Sequence, residues 1–258
     1  METTPKTAVV TGASGGIGYE LCKLLARDGY NVILVARNEQ NLEAVAHELK
    51  NEYGTSTFII VQDLSMAMAA DQLAERIGEL KQPVDILVNN AGFGSYGLFS
   101  ESNSGTNLDM ILTNVVALTR LTQFLLPELI SRKGKILNVA SLAAMQPVPL
   151  FAVYAATKAY VLSFSEALAD ELQSSGVTVT TLCPGITETC FQKRASMEHA
   201  KSVQGRLMSA STVARIGYRG LLRGQRVVVP GTKEKLLAAA VNLAPRRLVT
   251  KMARSMMK

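Results

Sequence analysis

An α/β fold, with a doubly wound parallel sheet and helices on both faces, is what this sequence predicts. Short β-branched runs alternate with longer amphipathic ones. The runs read as strands buried on both faces, as a covered parallel sheet requires. No Gly/Ser/Pro linker, repeat or low-complexity tract divides the chain. The expected strands number about seven: TAVVTG (7–12), NVILVAR (31–37), TFIIVQD (57–63), DILVNNAG (85–92), GKILNVAS (134–141), VTVTTLCPG (177–185) and RVVVPG (226–231). Helices are expected between most of them, for example over 39–50 and 107–131. A single domain over 1–231 follows, with 232–258 as a basic helical extension and not an independent domain. In such sheets ligands bind beyond the carboxyl ends of the strands.

With 48% apolar and 19% charged residues among 258, the chain is expected to fold around a sizeable core. Cys22, Cys183 and Cys190 lack metal-ligand spacing and are odd in number, so neither a metal site nor a disulfide framework is expected, and a reducing cytoplasm fits best. The opening METTPKTAVVTG has no long apolar run, so no secretory signal is expected. Residues 136–157 are free of charge, but Asn138, Ser141, Gln146, Pro147 and Pro149 interrupt them and argue against a membrane span. The net charge of +6 resides wholly in 233–258, where seven Lys or Arg face Glu234 alone. The remainder is neutral on balance, which argues against a nucleic-acid-binding face.

After the first strand comes TGASGGIG (11–18), with a helix to follow. Glycines let the backbone turn tightly against a diphosphate, and the amides of a helix N-terminus supply the positive dipole end. Gly12, Gly16 and Gly18 fit G-x3-G-x-G, whereas Gly12, Gly15 and Gly18 fit the G-x2-G-x2-G common in nucleotide-sugar epimerases. The second strand ends in Ala36 and Arg37, where NAD-preferring enzymes usually carry a carboxylate for the ribose hydroxyls. An arginine there suits a 2′-phosphate, so NADP(H) is expected over NAD(H).

Two tyrosine–lysine pairs have one-turn spacing. Tyr154 and Lys158 lie in VYAATKAY, and Tyr19 and Lys23 repeat the pattern. On a helix, residues four apart share a face, and a cation beside a phenol favours the phenolate, which is one way to tune a proton-transfer group. Spacing alone does not separate the pairs.

With TGASGGIG, NNAG (89–92), SLAAMQPVPLFAVYAATK (141–158) and PGITET (184–189) in order, residues 5–231 resemble the single-domain short-chain dehydrogenase/reductase family. The ordered set separates the pairs: Ser141 stands thirteen residues before Tyr154, while the same offset from Tyr19 falls on Lys6. The resemblance implies a Rossmann-type fold and an NADP(H)-dependent oxidoreductase interconverting a carbonyl and an alcohol. It implies Tyr154 as general acid in reduction and base in oxidation, and Lys158 as the residue that binds the nicotinamide ribose and lowers the tyrosine pKa. Ser141 is implied to bond the carbonyl oxygen, and Asn114 to hold a water joining Lys158 to solvent. By the same resemblance Gly12, Ser14, Gly15, Gly16, Ile17 and Gly18 cradle the diphosphate, and Asp63 and Leu64 contact adenine. Asn89, Ala91 and Gly92 line the adenosine ribose, with sheet stabilisation as the alternative for Asn89; Pro184, Gly185, Ile186 and Thr189 meet nicotinamide and diphosphate. Gly15 departs from the basic residue of many NADP-preferring members, which leaves the preference resting on Arg37.

Met145, Val148, Leu150 and Phe93 are expected to face a hydrophobic substrate, and 190–211 to form a lid. The rival enzyme reading is a nucleotide-sugar epimerase or dehydratase, for which too few residues follow the domain; the rival of another kind is a nucleotide-binding sensor or scaffold without turnover. The family often pairs the helices represented here by 107–131 and 152–174, which implies a homodimer or homotetramer, with Leu118, Leu121, Leu125, Leu162 and Leu168 serving core or interface. In the tail, RRLVTKMARSMMK places Leu248, Val249, Met252, Ala253, Met256 and Met257 on one apolar stripe beside Arg246, Arg247, Lys251, Arg254 and Lys258. A docked helix, peripheral contact with an anionic membrane and a substrate-side lid remain open for it.

Overall fold

A computed structural model describes residues 6–197 and 207–257. The chain enters through β1 (Thr7–Thr11), α1 (Gly16–Arg27), β2 (Asn31–Ala36), α2 (Glu39–Tyr53) and β3 (Thr57–Val61). Asn38 starts α2 by accepting a hydrogen bond from the Asn41 amide at 2.8 Å, and Gly54 at φ 66° ends it. α3 (Ala69–Glu79) leads to β4 (Val84–Asn89). Asp85 then fastens that strand, accepting from the Thr7 amide at 2.9 Å and from Arg132 Nε at 2.9 Å.

α4 (Ser104–Ile111), capped by Asn103, runs without a break through a π turn over Leu112–Ala117 into α5 (Leu118–Arg132). This continuous run starts a few residues before the expected helix, because the Asn103 side chain is available to accept from the Thr106 amide at 2.9 Å. By length and composition Ser104–Arg132 could cross a bilayer; in the fold Leu118, Leu121, Leu125 and Leu129 are buried. The uncharged window 136–157 resolves into β5 (Lys135–Val139), a 3₁₀ turn over Leu142–Met145 and the start of α6 (Ala152–Glu171).

β6 (Thr178–Leu182) follows, then the two-residue strands β7 (Thr187–Glu188) and β8 (Met208–Ser209), which pair with each other on either side of α7 (Phe191–Arg194). α8 (Ala210–Leu222), β9 (Val227–Val228), α9 (Thr232–Leu243) and α10 (Arg246–Met257) complete the described chain. The last expected strand shrinks to two residues, paired with Thr181 and Leu182 at the sheet edge.

All strands of the main sheet are parallel, in the order β3-β2-β1-β4-β5-β6-β9. Side chains alternate between two cores, as the period of two demands. Ala8, Val10, Val32, Leu34, Ile86 and Val88 pack with Leu21, Leu25, Leu42 and Tyr218 of α1, α2 and α8. Val9, Ile33, Val35, Leu87, Ile136 and Val179 pack with residues of α3, α5 and α6. Leu118, Leu121, Leu125 and Leu168 are buried and Leu162 partly so, and all five pack within the chain's own cores; the apolar side chains left exposed on these helices include Phe124, Ile130 and Tyr160. Because β1 has β2 on one side and β4 on the other, the strand order reverses there and opens a crevice at the carboxyl ends of β1 and β4.

Candidate active site

The turn from β1 into α1 sits in that crevice. Gly16 has φ 56°, and a Cβ there would come within 3.2 Å of Thr189 Cγ2, so the PGITET segment lies directly against the turn. A side chain at Gly18 would collide with the Gly12 carbonyl and the Asn90 amide. A Cβ on Gly15 would meet nothing within 4 Å, and Gly15 is extended at φ 174°. The structure therefore makes Gly12, Gly16 and Gly18 the required glycines, and the spacing that suggested an epimerase loses its basis. Ser14 and Ile17 lie between them, both partly exposed. α1 has no acidic residue in its first turn, so its N-terminal amides present an uncompensated positive end, a cradle that fits a diphosphate.

Asn90 braces this turn, a role that sequence reasoning missed. Its Nδ2 donates to the carbonyls of Thr11 at 3.0 Å and Gly12 at 3.2 Å, while Thr11 Oγ1 accepts from the amides of Asn90 and Ala91 at 3.0 Å each. Its signal in the sequence is the second asparagine of NNAG. Asn89, expected beside the ribose, is buried and donates to Thr122 Oγ1 at 3.0 Å and Asn138 Oδ1 at 2.9 Å; Asn138 donates in turn to Ser165 at 2.8 Å. Asn89 thus ties strands to helices, the alternative reading for it.

At the ends of β2 and β3, Arg37 Nη1 stands 3.8 Å from Asp63 Oδ2, and both side chains are well exposed. Burial pushes the Asp63 carboxyl up, but the Ser65 amide and hydroxyl, with Arg37, outweigh it and hold the group below its ordinary value. Leu64 is buried beside them.

The proton-transfer candidates meet where β5 ends. Ser141 caps the 3₁₀ turn, accepting from the Ala143 amide at 3.2 Å. Tyr154 and Lys158 project from the first turns of α6, with Lys158 Nζ 5.8 Å from the Tyr154 ring centroid. Lys158 is buried and donates to the Val139 carbonyl at 2.8 Å. A Cβ on Gly92 would stand 3.0 Å from Asn114 Oδ1 and 3.2 Å from Lys158 Nζ, so Gly92 leaves the gap in which amide and ammonium converge. Asn114 occupies the π turn and clamps Phe93, accepting from its amide at 3.1 Å and donating to its carbonyl at 3.0 Å, with a further bond to Thr157 at 3.0 Å. A π turn placed at a polar residue of this kind is common at functional sites; no sequence periodicity announced it.

Burial raises the Tyr154 phenol to about 12, with the Ser141 hydroxyl opposing the rise, and burial also brings Lys158 down to about 8. Desolvation is the largest influence on both groups, each of which loses its charged form's hydration.

Around Tyr154 stand Phe151, with ring centroids 4.5 Å apart, and Phe191 at 5.3 Å. Met110, Val148, Phe151, Ala195, Met197 and Met257 share a buried cluster with Tyr154, against which Phe93, Tyr96, Leu150 and Ile186 pack. Of the residues expected to face substrate, Met145 alone packs elsewhere, beside Ala140 and Ala144. Pro184 accepts from the Leu142 amide at 2.8 Å, and Gly185 has Glu234 of α9 against it. Residues 198–206 of the expected lid lie outside the described residues.

The sequence profile of the short chain dehydrogenase family matches residues 6–200. The chain belongs to that family. Among family relatives, mouse 17-beta-hydroxysteroid dehydrogenase type 3 is 35% identical over 201 residues, covering 76% of this chain and 64% of that protein. Rat very-long-chain 3-oxoacyl-CoA reductase is 34% identical over 191 residues, covering 72% of this chain and 61% of the relative. This family member thus spans less than two thirds of the length of those two proteins. Among solved structures, a short-chain dehydrogenase from Sphingobium yanoikuyae in complex with NADPH is 29% identical, with a TM-score of 0.80 over 93% of this chain and 94% of that one.

Proposed function

We propose that this short-chain dehydrogenase is an NADP(H)-dependent oxidoreductase interconverting a hydrophobic carbonyl compound and its alcohol. One observation carries the reading: Ser141, Tyr154 and Lys158 gather at the carboxyl end of β5, on the same edge of the sheet as the glycine cradle. A bound nicotinamide would exchange hydride with the carbonyl carbon. Ser141 bonds the carbonyl oxygen, and Tyr154 delivers the proton in reduction and removes it in oxidation. Lys158 and Asn114 hold the nicotinamide ribose and the proton path behind it. Gly12, Ser14, Gly15, Gly16, Ile17 and Gly18 take the diphosphate, joined by Thr189; Ala91, Gly92, Pro184, Gly185 and Ile186 line the remaining length. The apolar cluster around Tyr154 supports a hydrophobic substrate, as do the two relatives, a hydroxysteroid dehydrogenase and a very-long-chain 3-oxoacyl-CoA reductase. The deciding experiment replaces Tyr154 with Phe and follows nicotinamide absorbance over a panel of ketones, aldehydes and alcohols: turnover should fall by about 10² to 10⁴ while NADPH binding persists.

The preference for NADP(H) rests on Arg37, whose exposed guanidinium is free to turn from Asp63 to a 2′-phosphate. Arg37→Ala should weaken NADPH binding about tenfold or more and NADH binding little; equal losses would end this reading. Self-association through α5 and α6 is supported by exposed Phe124, Ile130 and Tyr160 and is checked by the mass in solution at micromolar concentration. A cytoplasmic protein, peripheral at a membrane through its basic tail, accords with the charge on 233–258.

A further inference from the structure

α10 does not use its apolar stripe as one surface. Val249, Ala253 and Met257 are buried, whereas the adjoining row Leu248, Met252 and Met256 is 55%, 63% and 49% exposed. Spaced by four, each row occupies one line along the helix, so one edge of the stripe is docked and the other faces out. The docked end reaches the site itself. Met257 shares the cluster of Tyr154, Phe151 and Met110, and its carbonyl accepts from Tyr96 Oη at 2.6 Å. Beyond Tyr96 the loop exposes Leu98 and Phe99, at 42% and 67%, and α4, which buries Met110 in the same cluster, exposes Leu108 at 56%. Leu98, Phe99 and Leu108 thus stand within three residues of Tyr96 or Met110, which pack in the cluster that holds Tyr154. Arg246, Arg247, Lys251 and Arg254 on α10 are exposed, the helix has no acidic residue, and none of the four enters an ion pair among the described residues.

We infer that this face, with the outer row of α10 and Phe99 as its two contacts, docks on an anionic lipid bilayer so that the substrate side of the site opens toward the lipid. The inference rests on the reading of Tyr154 as the reacting end. Charge complementarity selects the occupant: apolar side chains beside unpaired cations are the composition that lies in an anionic interface. A hydrophobic carbonyl compound dissolved in the bilayer then reaches Tyr154 without crossing water.

The test is cosedimentation of the full chain with phosphatidylcholine vesicles, with and without about 30% phosphatidylserine, at low and high salt. The chain should bind the anionic vesicles at least tenfold better and lose that binding in high salt. Leu248→Ser/Met252→Ser/Met256→Ser should reduce binding tenfold or more, Phe99→Ser severalfold, and Phe124→Ser on α5 not at all. Circular dichroism and NADPH binding in solution, measured on every variant, separate misfolding and a failed cofactor reading from a failed docking surface. Absence of binding to anionic vesicles overturns the inference, and so does an outer-row variant whose only change is a smaller oligomer, which would make the partner a second copy. Wild-type binding by Phe99→Ser overturns the orientation and leaves a tail that binds alone.

Discussion

Helices α1 and α6 carry the same pair at the same spacing, and the lysine stands almost equally far from the tyrosine ring in each, 5.2 Å at Tyr19 and 5.8 Å at Tyr154. What differs is everything around them. Tyr19 donates to Glu48 of α2 at 2.5 Å, and Lys23 stands 3.3 Å from the same carboxylate at a part-exposed helix junction. Tyr154 and Lys158 are buried, with a backbone carbonyl on the lysine and two aromatic rings beside the tyrosine. The lysines consequently titrate in opposite directions: burial alone would lower Lys23, but Glu48 and Tyr19 raise it, whereas burial prevails at Lys158 and brings it to about 8. The pair proposed to react and the pair at the helix junction therefore differ in what the third partner is and in how dry the place is.

The largest expected difference is kinetic. Tyr154→Phe should cost about 10² to 10⁴ in kcat, the usual worth of a positioned proton donor, while Tyr19→Phe stays within about twofold because its hydroxyl serves only a helix junction. A Tyr19→Phe loss approaching that of Tyr154→Phe would break the comparison.

Next comes a pH-dependent stability difference. The folded protein binds a proton at Lys158 less tightly than the unfolded chain does, at about 8 against the ordinary 10.5. Between those values the unfolded state holds more protons, so stability contributed by this group climbs with pH across the window. Lys158→Met should raise the stability at pH 7 by an amount on the order of 1–3 kcal/mol, while abolishing turnover, and the gain should shrink toward pH 10. Lys23 has the reverse sign, with a raised value whose benefit is present at neutral pH and disappears in alkali. Lys23→Met should cost at most about 0.5 kcal/mol, because the pair is part-exposed and screened. Melting curves of both variants at pH 7 and 10 check the signs.

A third contrast lies inside the glycine turn. Gly18→Ala should cost about 1–3 kcal/mol of stability, since the added methyl meets the Gly12 carbonyl and the Asn90 amide. Gly15→Arg has open space and ordinary backbone, so it should fold as the parent and tighten NADPH severalfold by adding a cation to the glycine turn; titration with NADPH and NADH measures it.

The smallest effect expected is a shift within about ±0.5 kcal/mol for Asp63→Asn, whose contact with Arg37 is long and exposed.

The fold was legible because buried parallel strands announce themselves: Val32, Ile33, Leu34 and Val35 in sequence leave no polar face to hesitate over. The candidate site was legible as an ordered set of motifs, not as geometry. Which glycines are needed depended on Asn90, 72 residues from Gly18, and on Thr189, 173 residues from Gly16. Asn89 and Asn90 are identical letters with different duties, decided by strand pleat: the first points into a buried network and the second to the turn. The tail stripe was read correctly as helical and too simply as one face, because periodicity reports which residues can share a surface and not which neighbour covers them.

The π turn at Asn114 also sets a rotational phase. Each bond within Leu112–Ala117 reaches back five residues in place of four, which amounts to one residue inserted into the helix, or about 100° of rotation. Upstream of it Met110 faces the Tyr154 cluster, and downstream Leu121, Leu125 and Leu129 face the sheet. Deleting a single residue here would let the run close into uninterrupted α-helix and turn the two halves against each other like a key moved one notch, carrying Met110 off its cluster and Asn114 away from Phe93 while leaving α5 seated where it was.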